Sequence, residues 1–178
     1  KPEFVQHSIE EYKAAINAYP GSPSLYDGLA EFYFRTGRSR DAESTEREAV
    51  KNHPDDVDAH KLLGRIYLRQ LGDQQNTVGS SSPSGNTLDQ AIGEFEKIVQ
   101  LQPRSVEDHM ILGQLYTVKH QGDKAEQQFK QAQAIEPDSE EVVLNLARVY
   151  QENNDLAHAA KVIEDVPESD RTARMEFT

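Results

Sequence analysis

Four stretches of the chain carry apolar residues at steps of three and four. They read Tyr26-x2-Leu29-Ala30-x2-Tyr33, His60-x2-Leu63-Gly64-x2-Tyr67, His109-x2-Leu112-Gly113-x2-Tyr116 and Val143-x2-Leu146-Ala147-x2-Tyr150. Such steps bring residues onto one face of an α-helix. Each stretch is followed by a second one, in which an alanine precedes a larger residue by four: Ala42-x3-Glu46, Ala91-x3-Phe95, Ala125-x3-Phe129 and Ala159-x3-Ile163. Pro20, Pro54, Pro103 and Pro137 punctuate the series. The first two are 34 residues apart, and so are the last two; the middle pair is 49 apart, one period of 34 plus 15. A fixed internal period of this length predicts an array of helix pairs with a single insertion.

The residue types follow from packing. A small residue at Ala30, Gly64, Gly113 or Ala147 lets the second helix of the pair approach closely, with Ala42, Ala91, Ala125 and Ala159 as the matching small residues. Leucine and tyrosine fill the space around that contact. Proline ends the second helix, since it lacks a backbone donor and restricts the residue before it. Ser105 with Asp108, and Asp138 with Glu141, read as capping boxes; Ser22 before Pro23 reads as a cap followed by a first-turn proline.

These motifs resemble the tetratricopeptide repeat family, whose signature is an aromatic-x2-Leu-Gly-x2-Tyr helix and an Ala-x3-Phe helix closed by proline. The resemblance covers nearly the whole chain. It implies an all-α, right-handed solenoid of antiparallel helix pairs. Residues 1–22 are expected to supply the second helix of a truncated repeat, with Tyr12, Ala15 and Pro20 in phase. Repeats are then expected at 23–56, 57–105, 106–139 and 140–168, and the start of a further helix at 169–178. Pro167 arrives about a turn early for the pattern. The incomplete ends suggest a piece of a longer array.

The insertion falls in the stretch "LGDQQNTVGSSSPSGNTLDQ", residues 71–90. It lies between Tyr67 and Ala91, inside one repeat, and the period resumes after it. It is therefore expected to be a loop of about residues 72–86 joining helices 57–71 and 87–101, not a linker between domains. Its Ser, Gly, Gln and Asn content predicts a mobile segment.

Charge and composition narrow the function. The net charge is −12, hydrophobic residues make up 36% and mean hydropathy is −0.77. Such a chain is a poor match for nucleic-acid phosphates or an anionic membrane surface. No apolar run reaches the ~18 residues of a membrane span, and the first residues show no apolar signal-peptide core. The absence of cysteine removes disulfides, thiol catalysis and thiolate metal sites, and suits either redox compartment.

Candidate chemistry is sparse. There is no Gly-rich phosphate loop, no G-x-S-x-G and no H-E-x-x-H. Gly79–Pro83 places serines in a flexible setting without a positioned base. His60 and His109 occupy equivalent places in two repeats and are expected to fill half-buried packing positions. A separation of ~10 Å between equivalent residues is too wide for both to bind one ion. The acidic pairs Glu10–Glu11 and Glu140–Glu141 read as solvated faces and helix N-terminal charges. No catalytic residue, cofactor or metal is expected.

The family resemblance implies a concave wall of first helices that holds a peptide or partner segment. Carried over by motif position, its members are Asp27, Glu31, Phe34 and Arg35; Lys61, Arg65, Leu68 and Arg69; Met110, Gln114, Thr117 and Val118; and Leu144, Asn145, Arg148 and Gln151. Lys61, Arg65 and Arg69 share one helix face at i, i+4 and i+8, and Arg148 extends the stripe. An acidic partner segment is expected, steered by these cations and anchored by Phe34, Met110 and Val118. A family subgroup grips C-terminal carboxylates with a Lys/Asn/Lys/Arg clamp. Here Lys61 and Arg65 match its first members, but Ile111 and Glu141 replace the others, so a chaperone-tail receptor is not expected. Two rival readings are a regulatory or docking portion of a larger enzyme and a module that self-assembles through its repeat ends.

Overall fold

The computed structural model describes residues 2–75, 85–172 and Met175. Nine α-helices occur among the described residues: α1 Pro2–Ala18, α2 Pro23–Arg35, α3 Ser39–Asn52, α4 Val57–Gln75, α5 Gly85–Leu101, α6 Val106–Val118, α7 Gly122–Ile135, α8 Glu140–Glu152 and α9 Leu156–Glu164. A short 3-10 turn follows at Glu168–Asp170. No strand occurs among the described residues, and no described helix is long and apolar enough to cross a membrane.

The helices fall into two compact units, Lys1–Leu101 and Gln102–Thr178. In the first, α2 pairs with α3 and α4 with α5, while α1 packs on α2 and α3 on α4. In the second, α6 pairs with α7 and α8 with α9, with α7 packed on α8. Ile9, Leu29, Ala30, Tyr33, Ala42, Leu62 and Ile66 form one core cluster of the first unit. In the second, Leu112, Ala125, Phe129 and Ala132 are buried, and Val143, Leu144, Val166 and Met175 cluster together.

Close approach at the helix crossings depends on glycine facing an aromatic ring. A Cβ on Gly64 would meet the Phe95 ring at 3.0 Å, and one on Gly113 would meet the Phe129 ring at 2.5 Å. The small residue therefore faces the ring that ends each Ala-x3-Phe motif. The repeats with Ala30 and Ala147 carry Glu46 and Ile163 at the ring position, so the larger Cβ goes with a slimmer partner.

Three helix ends close alike. The Arg38, Gln121 and Asp155 N–H groups donate to the carbonyls of Tyr33, Tyr116 and Tyr150 at 2.9, 2.9 and 2.8 Å. The residue before each donor, Gly37, His120 or Asn154, has a positive φ, as this six-to-one closure requires. In the remaining repeat α4 continues past this point to Gln75.

Several local expectations are corrected. Helices α4 and α5 run to Gln75 and from Gly85, so residues 72–75 and 85–86, expected in the loop, are helical. Residues 76–84, on which the expected mobility falls, lie outside the described residues. The cap of α8 is Ser139 rather than Asp138, and its side chain makes no cap bond. Ser22 caps α2 by position, but its hydroxyl meets Ser24 Oγ at 3.1 Å instead. Ser105 does accept from the Asp108 N–H at 3.3 Å. After α9, Arg171 donates to the carbonyls of Val166 and Glu164 at 2.9 and 2.8 Å, satisfying groups that the helix end leaves open. Residues 169 and 170 belong to the 3-10 turn rather than to a new α-helix; 173, 174 and 176–178 lie outside the described residues.

Candidate interaction faces

In the first unit, α2 and α4 bring the predicted basic stripe against an aromatic ring. The guanidinium carbons of Arg65 and Arg69 lie 5.6 and 4.9 Å from the centroid of Phe34. Arg69 Nη1 also donates to the Phe34 carbonyl at 2.9 Å. Arg65 Nη1 stands 3.7 Å from Glu31 Oε2. Each cation–π contact contributes about 0.5–1 kcal/mol at such exposed sites, and an exposed ion pair less. These contacts orient the two cations without burying them, since Arg65, Arg69 and neighbouring Arg35 are exposed. Lys61, Leu68 and Phe34 are half-buried.

Asp27 does not share this role. It faces the side chain of Glu46 on α3, and the two buried carboxyl groups can share a hydrogen bond when one of them is protonated. Glu46 is fully buried, and burial, followed by the adjacent Asp27 charge, pushes its pKa to about 9. Burial also raises Asp27, an effect that the Glu46 hydrogen bond opposes. Such a bond needs one protonated carboxyl group as donor, and the larger upward shift puts that proton on Glu46. A glutamate at the ring position of Ala-x3-Phe was the sequence signal for this pair.

In the second unit, burial divides the predicted members. Met110 and Leu144 are 5% and 8% exposed, so they are floor rather than projecting anchors; Leu144 packs with Val143, Val166 and Met175. Thr117 Oγ1 donates to the Gly113 carbonyl at 3.1 Å, and Asn145 Nδ2 to the Glu141 carbonyl at 2.8 Å. Gln151 is half-buried. Gln114, Val118 and Arg148 remain exposed. Gln114, Asn145 and Arg148 line a cleft of about 510 Å³ with Ser139, Glu140 and Glu141. Beside it, a cleft of about 480 Å³ is bordered by Glu107, Glu136 and Glu141 over Val106, Met110 and Ile111. Motif positions alone did not single out this acidic rim, because Glu136 sits at a helix end that the signature leaves open.

The two equivalent histidines fill packing positions, buried rather than half-buried at 5% exposed each, and they also act as polar joints. His60 Nδ1 lies 2.6 Å from Glu94 Oε2 and its Nε2 3.0 Å from the Pro54 carbonyl. His109 Nδ1 lies 2.8 Å from Gln128 Oε1 and its Nε2 3.1 Å from the Pro103 carbonyl. Each ring thus ties the first helix of its pair to the second and to the preceding turn. Among the described residues no group of three or more acidic or histidine side chains is arranged to hold a metal ion.

The tetratricopeptide repeat family matches residues 28–76 and 119–176, together more than half of the chain. Human Protein O-mannosyl-transferase TMTC1 is 22% identical over 190 residues, covering 94% of this chain; the chain spans only 21% of that protein's length. A solved structure of MamA (AMB-1) superposes with a TM-score of 0.71 at 17% identity, covering 100% of this chain and 90% of MamA. MamA from Desulfovibrio magneticus RS-1 gives 0.65 at 16% identity, covering 90% and 82%. TTC0263, a thermophilic TPR protein of Thermus thermophilus, gives 0.55 at 21% identity, covering 97% and 87%. These likenesses establish the solenoid fold of antiparallel helix pairs. With four copies of the motif in one register and glycine–ring crossings at two of the helix pairs, the chain belongs to the tetratricopeptide repeat family, whose repeats form protein-interaction scaffolds.

Proposed function

We propose that this chain is a non-catalytic scaffold that receives an acidic partner segment on the α2–α4 face of its first unit. The observation that supports this reading is the placement of Arg65 and Arg69 over Phe34. Two oriented guanidinium groups offer forked donors to carboxylates, and the half-buried ring offers an apolar contact between them. Arg35 and Lys61 add positive charge nearby, while Glu31 offsets part of it. Partner capture would then need little reorganisation. Within the second unit, the exposed Gln114, Val118 and Arg148, with the half-buried Asn145, are proposed as a separate peptide-contacting face.

The test is a fluorescence titration of the chain with a labelled ten-residue peptide of Asp, Glu and Leu. Changing Lys61, Arg65 and Arg69 to Glu is expected to weaken binding at least tenfold while leaving helical content unchanged. Equal binding by the variant would overturn the reading.

A second reading is favoured by the alignment of 94% of this chain with one fifth of an O-mannosyl-transferase. In it, these repeats are the docking or regulatory segment of an enzyme that modifies the captured partner. The flanking coding sequence distinguishes the two: a transferase domain in the same chain supports the second reading, and a further run of repeats alone supports the first.

A further inference from the structure

We propose that the cleft between α6 and the start of α8 in the second unit is a docking site for a basic segment, in which Lys or Arg alternates with an aliphatic side chain. The inference shares with the proposed function only the premise that the chain is a scaffold. It concerns a different cleft, which shares Gln114 with the second unit's residues named above, and the opposite charge.

The cleft, of about 480 Å³, has room for more than one side chain. Its floor is apolar: Val106, Met110 and Ile111 from α6 and Val142 from α8. Its rim carries Glu107, Glu136 and Glu141, all exposed, and no Lys, Arg or His lies on its lining. Three carboxylates converge here from three segments of the chain: the first turn of α6, the end of α7 and the first turn of α8.

Helix electrostatics explain two of the three. Glu107 and Glu141 sit in first turns, where negative charge is favoured by the helix dipole. Glu136 sits at the C-terminal cap of α7, where the dipole disfavours it. Its charge has no local helical benefit, and its effect is to complete the acidic rim. The two positions that depart from a carboxylate clamp also meet here: Ile111 in the floor and Glu141 on the rim. The surface is thus the electrostatic inverse of a carboxylate receptor. A basic side chain would find carboxylate partners on the exposed rim, and its aliphatic neighbour would cover the floor.

The experiment titrates the whole chain with a labelled ten-residue peptide of Lys, Arg and Leu, alongside the acidic peptide used above. The basic peptide is expected to bind, with affinity falling as salt rises. Glu107→Gln, Glu136→Gln and Glu141→Gln together are expected to weaken it at least tenfold. A control with glutamine at Glu10, Glu11 and Glu48 removes the same charge elsewhere and is expected to change affinity less than twofold. Ile111→Ser is expected to weaken binding at every salt concentration, since it alters the floor and not the rim. Equal losses in the triple variant and the control would mean attraction to the acidic chain as a whole and overturn the proposal. Absence of basic-peptide binding would overturn it too, while retained acidic-peptide binding leaves the α2–α4 face untouched.

Discussion

Phe129 lies so close to Gly113 that any side chain there would collide with its ring, a Cβ falling 2.5–2.8 Å from three ring atoms. The crossing of α6 and α7 is set by this contact. Gly113→Ala should therefore destabilise the chain by about 1–3 kcal/mol through overpacking, and Gly113→Leu by more. Phe129→Leu added to Gly113→Ala should recover part of the loss. Chemical denaturation of the three variants measures this; a cost below about 0.5 kcal/mol for Gly113→Ala would contradict the packing.

Gly37 presents the opposite case. Nothing lies within 4 Å of where its Cβ would be, yet its φ is 79°. Gly37→Ala should cost roughly 1 kcal/mol from backbone strain alone. Gly37→Asn should cost less, since the equivalent turn uses Asn154 at φ 59°. Thermal unfolding of the two variants should rank them in that order.

Glu46 makes stability depend on pH in an unusual direction. Its pKa, about 9 in the folded chain, exceeds the ordinary 4.5, so the folded state holds a proton that the unfolded state releases. Its stabilising effect is complete below about pH 4.5 and is lost as pH rises toward 9, at up to ~1.4 kcal/mol per pH unit for one proton. Glu46→Gln keeps a donor for Asp27 and removes this titration. The difference in unfolding free energy between the chain and the variant should move in the variant's favour from pH 5 to 9; a constant difference would refute the buried acid.

The same position tests the glycine–ring pairing. Glu46→Phe restores the usual ring opposite Ala30, where the two ring-bearing crossings have glycine. The single variant should be destabilised, by about 1–3 kcal/mol for an overpacked crossing. Adding Ala30→Gly should recover stability beyond additivity in a double-mutant cycle.

His60 and His109 should each cost about 1–3 kcal/mol when changed to Leu. The apolar side chain would leave the Pro54 or Pro103 carbonyl, together with Glu94 or Gln128, without a partner. Denaturant midpoints at constant slope would report this.

Much of this protein is local physics and could be read directly from the chain. Steps of three and four define a helix face, a 34-residue period defines a pair, and Gly64 and Gly113 announce a close crossing before any partner is known. The cap at Ser105 and the break near Pro103 follow from neighbouring residues as well. The basic stripe was legible for the same reason, since Lys61, Arg65 and Arg69 lie on one helix. Their seat on Phe34 was not, because that ring is about one repeat away in sequence and only packing of α2 beside α4 brings it near. Tertiary structure alone decided that Asp27 turns to Glu46, that Met110 and Leu144 are covered, and that Glu107, Glu136 and Glu141 share one rim. Helix angle tells which side of its own helix a residue occupies. Whether that side meets water, a carboxyl group or another helix depends on segments distant in sequence, and on the rings and glycines that set how closely the helices approach.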